Sequence, residues 1–255
     1  GHLLGFPDRL WPALQRWSEE TIALGGGPRY ANEAGANAVF EFVQACSDLY
    51  EEKLKSPSDD IMSTWIGAEK NGLRDKTDFG LDQIISDCLL LLDGGAETTR
   101  TVIARSLLEL TKNPDQWDLL KNGANLDLAV EEFIRFVTPI HNMCRVATED
   151  YEIGGEVIRK GQQIVLMYSS ANRDTSHFDN PENLNIARDP NHHIAFGFGT
   201  HFCLGASLAR LEIKLFFEIF LERIASIKLL ADPVEMPNSF VYGLASCLMQ
   251  LEKEI

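Results

Sequence analysis

The chain has 255 residues, 45% hydrophobic and 24% charged, enough to bury the core of one large or two modest domains. Its formal net charge of −15 argues against nucleic acid, which needs a basic face, and against anionic membrane surfaces. The five widely spaced cysteines (Cys46, Cys88, Cys144, Cys203 and Cys247) make neither a disulfide framework nor a Cys-x-x-Cys pair, and Asp87 and Asp93 interrupt the longest apolar run, so a cytoplasmic chain without a membrane span is expected.

The chain opens on Gly1-His2-Leu3-Leu4-Gly5-Phe6-Pro7, which reads as the end of a helix and a turn, so a fragment is expected. Asp8 to Leu24 is helix-like and stops at Gly25-Gly26-Gly27. Glu33 to Lys55 is an amphipathic helix closed by Ser56-Pro57, and Ser58 to Ile66 is a short one. Asn71-Gly72 marks a turn. Asp78 to Thr111 repeats its apolar residues at a period near 3.6 and predicts a long central helix, interrupted midway by Gly94-Gly95. Pro114 begins the next helix, and Asn125 to Val137 forms another, ended by Thr138-Pro139. Met143 to Ala147, Tyr151 to Ile153 and Gln163 to Ser169 read as strands, with Gly154-Gly155 and Lys160-Gly161 as turns. Ala171 to His192 is polar and irregular, Leu204 to Ile224 is the last long helix, and Asn238 to Leu251 reads as a hairpin around Gly243. The sum is mainly α with a small β lobe, in one domain over residues 1–255.

The chemistry centres on Phe196-Gly197-Phe198-Gly199-Thr200-His201-Phe202-Cys203-Leu204-Gly205. A cysteine in a glycine- and aromatic-built bend ahead of a helix places a thiolate where backbone N–H groups and the helix dipole favour negative charge. Such a lone thiolate can be the axial ligand of a haem iron. Gly197, Gly199 and Gly205 permit close backbone approach, and Phe196 would shield the sulfur. Grouping His192, His193, His201 and Cys203 as a zinc site leaves the glycines and aromatics unexplained and lacks the usual paired-ligand spacing; His192 and His193 read as structural. Glu132 and Arg135, three apart on one helix face, can form a charge-assisted pair, with Arg188 as a possible third member. Asp93-Gly94-Gly95-Ala96-Glu97-Thr98-Thr99-Arg100 sets an acid and a hydroxyl beside a helix-opening glycine, which suits proton relay. Arg145 lies on the strand after the Glu132 helix, where its fork suits a carboxylate.

Together the complete Phe-Gly-x-Gly-x-His-x-Cys-x-Gly loop, Glu-x-x-Arg and Gly-Gly-Ala-Glu-Thr resemble the cytochrome P450 family, from about Leu3 to the end of the chain. The look is closest to the soluble bacterial branch, in particular actinobacterial enzymes that oxidise the side chain of cholesterol and related sterols. The resemblance implies the C-terminal portion of the P450 fold, with the family's N-terminal helices absent. It implies haem b with Cys203 as axial ligand, and His201 and Arg145 on the haem propionates. Thr98 would hydrogen-bond dioxygen while Glu97 helps deliver protons; Glu132, Arg135 and Arg188 would brace the haem loop. A hydrophobic, steroid-like substrate would meet Leu92, Gly94, Ile140, Met143, Phe240 and Val241. Electrons would come ultimately from NAD(P)H through a ferredoxin reductase and a ferredoxin docking near Arg210 and Lys214, on a monomeric protein. A non-catalytic haem sensor, or a defective fragment without stable haem, are the alternatives to a monooxygenase.

Overall fold

The computed structural model describes residues 1–70 and 80–254. The predicted turn at Asn71-Gly72 and the predicted helix start at Asp78 lie outside them. The chain divides into two compact units, Gly1–Glu97 and Thr98–Ile255.

The first unit holds α1 (Trp11–Gly25), α2 (Glu33–Lys55), α3 (Ile61–Lys70) and the first half of α4 (Leu81–Lys112). Each boundary has a local cause. Asn32 caps α2 by accepting the Gly35 N–H at 2.8 Å, and Asp60 caps α3 by accepting that of Ser63 at 2.7 Å. α3 thus begins at Ile61, after the Ser58–Asp60 turn, rather than at Ser58. α2 approaches α1 so closely that a Cβ on Gly35 would stand 2.9 Å from the Glu20 carbonyl oxygen; only glycine fits there. Phe6, Trp17, Phe42, Met62, Ile84 and Cys88 form the core of this unit. Cys46 and Cys88 are fully buried free thiols, and their mutual hydrogen bond and burial push the Cys46 thiol up.

α4 runs roughly 48 Å and stays helical across Gly94-Gly95, where the sequence predicted an interruption. Thr21 on α1 donates to Asp93 Oδ1 on α4 at 2.8 Å.

The second unit contains the rest of α4, α5 (Pro114–Lys121), α6 (Leu126–Val137), a one-turn α7 (Tyr168–Ala171) and α8 (Ala206–Arg223). Its described strands make four antiparallel two-stranded ladders. β1 (Asn142–Val146) pairs with β4 (Gln163–Met167) and β2 (Tyr151–Ile153) with β3 (Glu156–Ile158). β5 (Ile224–Leu229) pairs with β8 (Met249–Lys253) and β6 (Val234–Glu235) with β7 (Leu244–Ser246). The predicted Asn238–Leu251 hairpin is therefore wrong. Its Asn238 end forms no strand, its strands β7 and β8 pair with β6 and β5 rather than with each other, and Asn238 makes an Asx turn in which its Oδ1 accepts the N–H groups of Phe240 and Val241 at 2.7 and 3.1 Å. The core of the unit joins Phe133 and Phe217, whose ring centroids are 4.7 Å apart, with Trp117, Ile134, Ile186 and Ile213.

Asp93 gives the first unit a pH dependence. Burial pushes its carboxyl up to about 6 against the opposing pull of the Thr21 bond. Because the folded value lies above the unfolded one near 4, the associated stability is full below that unfolded value. It is lost as pH rises through about 6. Urea unfolding should show the wild type losing about 2 kcal/mol between these limits after allowance for partial solvent screening. Asp93→Asn should flatten that slope, and equal slopes would refute the assignment.

Candidate functional site

Glu132 and Arg135 lie on α6 with side chains wholly buried. Arg135 Nε and Nη2 each donate to one Glu132 oxygen at 2.8 Å, a fork-to-fork pair. Arg188 Nε adds a bond to Oε2 at 3.0 Å, Asn191 Nδ2 another at 3.1 Å, and the Asn185 backbone N–H bonds Oε1 at 2.9 Å. The remaining guanidinium donors take backbone carbonyls. Arg135 Nη1 reaches Asn172 and Pro181, and Arg188 Nη1 reaches Asp179. Asn172 carries the network onward: its Nδ2 donates to Thr138 Oγ1 and its Oδ1 accepts the Ile194 N–H, each at 2.8 Å.

From Ile194 the path leads to the cysteine. The Gly197 N–H donates to the Ile194 carbonyl, and the Cys203 N–H to the Phe196 carbonyl, both at 2.9 Å. Gly197 and Gly199 take φ of 72° and 71°, left-handed values that suit glycine and turn the chain into the 3-10 turn Gly199–His201. Gly205 is the N-cap residue of α8, and no side chain caps that end. Cys203 is exposed, two residues ahead of it.

Around the thiol three large apolar side chains face solvent: Phe198 at 88%, Phe202 at 51% and Leu204 at 90%. A Cβ placed on Gly199 or Gly205 would meet nothing within 4 Å. An exposed thiol framed by exposed apolar groups and open glycine surface fits a flat, largely apolar group with a metal centre, so these residues suit haem. His201 is exposed beside them. Arg145 on β1 uses one guanidinium nitrogen on the Cys144 carbonyl at 2.9 Å and leaves most of its donor fork unused among the described residues.

Glu131, absent from the sequence reading, anchors the other side of the loop. It accepts Arg210 Nε at 2.5 Å and Nη2 at 2.9 Å, and it meets His193 Nε2 at 3.1 Å. The Ala195 N–H points at His193 Nδ1 at 3.3 Å, which places the ring proton on Nε2 and makes His193 the donor to Glu131. Burial would raise the Glu131 carboxyl, but the His193 and Arg210 bonds win and bring it to about 2. Arg210 also stacks 4.5 Å over the Phe196 ring, so that ring packs against α8. Lys214 bonds Asp127 at 2.7 Å. The two cations named for ferredoxin docking are thus both paired. Sequence gave no sign of Glu131 or Asn172, since an acidic pair on a helix reads as a solvated face.

On α4, Glu97 is 2% exposed and Thr98, its neighbour, half-buried. Leu92 is buried and Gly94 exposed. Ile140 and Val241 form an isolated antiparallel bridge; Val241 is fully buried, Phe240 half-buried and Met143 exposed. A cavity of about 920 Å³ opens in the second unit beside Arg188, lined also by Glu109, Phe136, Asp179 and Asp189, but neither Cys203 nor Thr98 lines it.

The buried pair yields a prediction. Glu132→Ala leaves two buried guanidiniums without their carboxylate and should cost about 3–5 kcal/mol in urea unfolding. A loss under 1 kcal/mol would mean that the carbonyls alone hold the arginines.

The profile of the cytochrome P450 family matches residues 115–240. The chain is 38% identical over 252 residues to a steroid C26-monooxygenase of Mycolicibacterium smegmatis, covering 95% of this chain and 61% of that protein. It is 35% identical over 254 residues to a steroid C26-monooxygenase of Mycobacterium tuberculosis, covering 96% and 67%. Among solved structures, CYP109E1 of Bacillus megaterium in complex with testosterone superposes with a TM-score of 0.83 at 29% identity, covering 100% of this chain and 68% of that one. The extent and identity of these matches, on a chain with this cysteine loop and this buried Glu132–Arg135 pair, establish that the chain belongs to the cytochrome P450 family.

Proposed function

We propose that this protein is a haem-thiolate monooxygenase that hydroxylates an unactivated C–H bond of a hydrophobic, steroid-like substrate. O2 is the oxidant, and electrons come from NAD(P)H by way of a reductase and a ferredoxin. The observation that carries the reading is the exposed Cys203, fixed by its backbone bond to Phe196 and framed by exposed Phe198, Phe202 and Leu204. When bound, haem b would supply the oxygen-activating chemistry, which thiolate ligation favours.

Cys203 provides that sulfur. Gly199 and Gly205 leave the loop surface clear for the ring, while Arg145 and His201 take the propionates, Arg145 with its unused donors. Buried Glu97 would help deliver protons, and Thr98 would hydrogen-bond dioxygen. Glu132, Arg135 and Arg188 do not touch the reacting atoms; they hold the segment that ends in the cysteine. Leu92 and Gly94 on α4 and, in the second unit, Ile140, Met143 and Phe240 are the candidate substrate contacts, and buried Val241 acts through its bridge to Ile140. The steroid C26-monooxygenase relatives and the testosterone-bound neighbour support the substrate class.

The reduced protein should give the carbon-monoxide Soret band of thiolate ligation. Cys203→Ser should abolish that band while leaving the helical circular-dichroism signal. A histidine-type band in the wild type would sink the proposal. Glu97→Gln should slow hydroxylation about 100-fold with substrate affinity unchanged; a change confined to affinity would remove Glu97 from proton delivery.

A further inference from the structure

Phe196 is tied to Cys203 by its backbone and to a charged cluster by its ring. Its carbonyl accepts the Cys203 N–H at 2.9 Å. Its ring centroid lies 4.5 Å from the Arg210 guanidinium carbon, 5.9 Å from the His193 ring and 6.2 Å from the Phe202 ring. The residue beneath the guanidinium is therefore also the residue hydrogen-bonded to the cysteine.

Arg210 is fixed in that position. Its Nε and Nη2 donate to the two oxygens of Glu131, a fork that sets the plane of the guanidinium as well as its place. Glu131 also accepts from His193 Nε2, whose side chain is 2% exposed. Burial opposes ionisation of Glu131, but the His193 and Arg210 bonds bring its carboxyl to about 2, so it is charged at neutral pH, as the arginine is. His193 takes the Ala195 N–H on Nδ1 and is neutral. The cluster thus carries one positive charge on the ring face, where the ring quadrupole attracts it, and one negative charge bonded to that cation. Packing of Phe196 alone would be served by an apolar side chain at position 210. A cation there does what an apolar group cannot: it stabilises negative charge on a nearby sulfur and an added electron on a metal bound to that sulfur.

We propose that Arg210 and Glu131 are positioning residues that tune the one-electron potential at the Cys203 loop, Arg210 by holding positive charge over Phe196 and Glu131 by fixing that charge and partly cancelling it. Neither touches the reacting atoms; both act through Phe196. The proposal rests on the haem-thiolate reading and adds how that site is tuned.

The test is a redox titration of the haem-loaded protein with dithionite and mediator dyes, which needs no protein electron donor and so is blind to ferredoxin docking. Arg210→Gln should shift the ferric–ferrous equilibrium about 10-fold toward ferric, as one unit charge does at roughly 10 Å and an effective dielectric of about 20. In potential that is a fall of about 59 mV. Glu131→Gln should shift the equilibrium the opposite way, and the double variant should return to within about 2-fold of wild type as the two charges cancel. Arg210→Lys, which keeps the charge without the fork, should recover part of the Arg210→Gln shift. Asp127→Asn, one turn earlier on α6 and exposed, should change the equilibrium by less than about 2-fold because water and salt screen it. Mere loss of loop geometry would move both single variants in the same direction. Shifts of equal sign, no shift in either, or an Asp127→Asn shift as large as that of Glu131→Gln would overturn the proposal. Carbon-monoxide spectra of the same samples keep the two readings apart: a wild-type thiolate band with unsplit potentials removes the tuning role alone, and absence of that band removes both.

Discussion

Glu132 receives five N–H bonds on two oxygens in a place where neither it nor Arg135 has any exposed side-chain surface. Burying charge this deeply is costly unless each lone pair and each proton is matched. Here the matching is done by the chain that most needs partners. From Asn172 to Phe198 no helix or strand forms, so its inward backbone groups have no ladder to join. The carbonyls of Asn172, Pro181 and Asp179 accept from the two arginines, and the Asn185 N–H is taken by Glu132 itself. The ionic cluster and the irregular segment therefore satisfy each other, and removing the carboxylate strands both.

The same arrangement explains how an exposed loop can hold a cysteine in one place. Packing cannot locate Cys203, because Phe198, Phe202 and Leu204 lie largely in solvent. Hydrogen bonds do it instead, in steps from Asn172 to Ile194, from Ile194 to Gly197 and from Phe196 to Cys203. A second tie comes from Glu131, adjacent on α6, through His193 and Arg210. Glu131 and Glu132 are neighbours in sequence but serve opposite flanks of one segment. This makes α6 the reference element for the loop.

The helices were legible because each carried its own boundary marks. α2 runs over the predicted Glu33–Lys55, with Asn32 and Ser56-Pro57 at its ends, and α6 falls within one residue of the expected span. Strand pairing was less legible. Gly154-Gly155 announced a turn, but nothing local showed that Glu156–Ile158 would return along Tyr151–Ile153, or that Met249–Lys253 would leave its supposed hairpin for β5. Pairing is a long-range property, and short polar-apolar alternations fit several partners. Charges divided in the same way. Arg188 could be suspected from its place before the loop, whereas the partners of Arg210 and Lys214 were hidden because Glu131 and Asp127 lie far away along the chain. Asp93 looked only like an interruption in an apolar run; its meaning depends on Thr21, 72 positions earlier.

Orientation and affinity at the cysteine loop have separate physical sources. The buried network fixes where the sulfur and the left-handed glycines stand. The apolar rim is the opposite case. Phe198 and Leu204 gain nothing from their exposure, and covering each would contribute about 1.5–3 kcal/mol, with half-exposed Phe202 adding about half as much. A flat apolar ring laid on the loop would collect that energy without rearranging the polar ties beneath it. Substitutions on the rim should therefore weaken retention of the ring, and substitutions around Glu132 should disturb the geometry of its ligand, although both sets belong to one short stretch of chain.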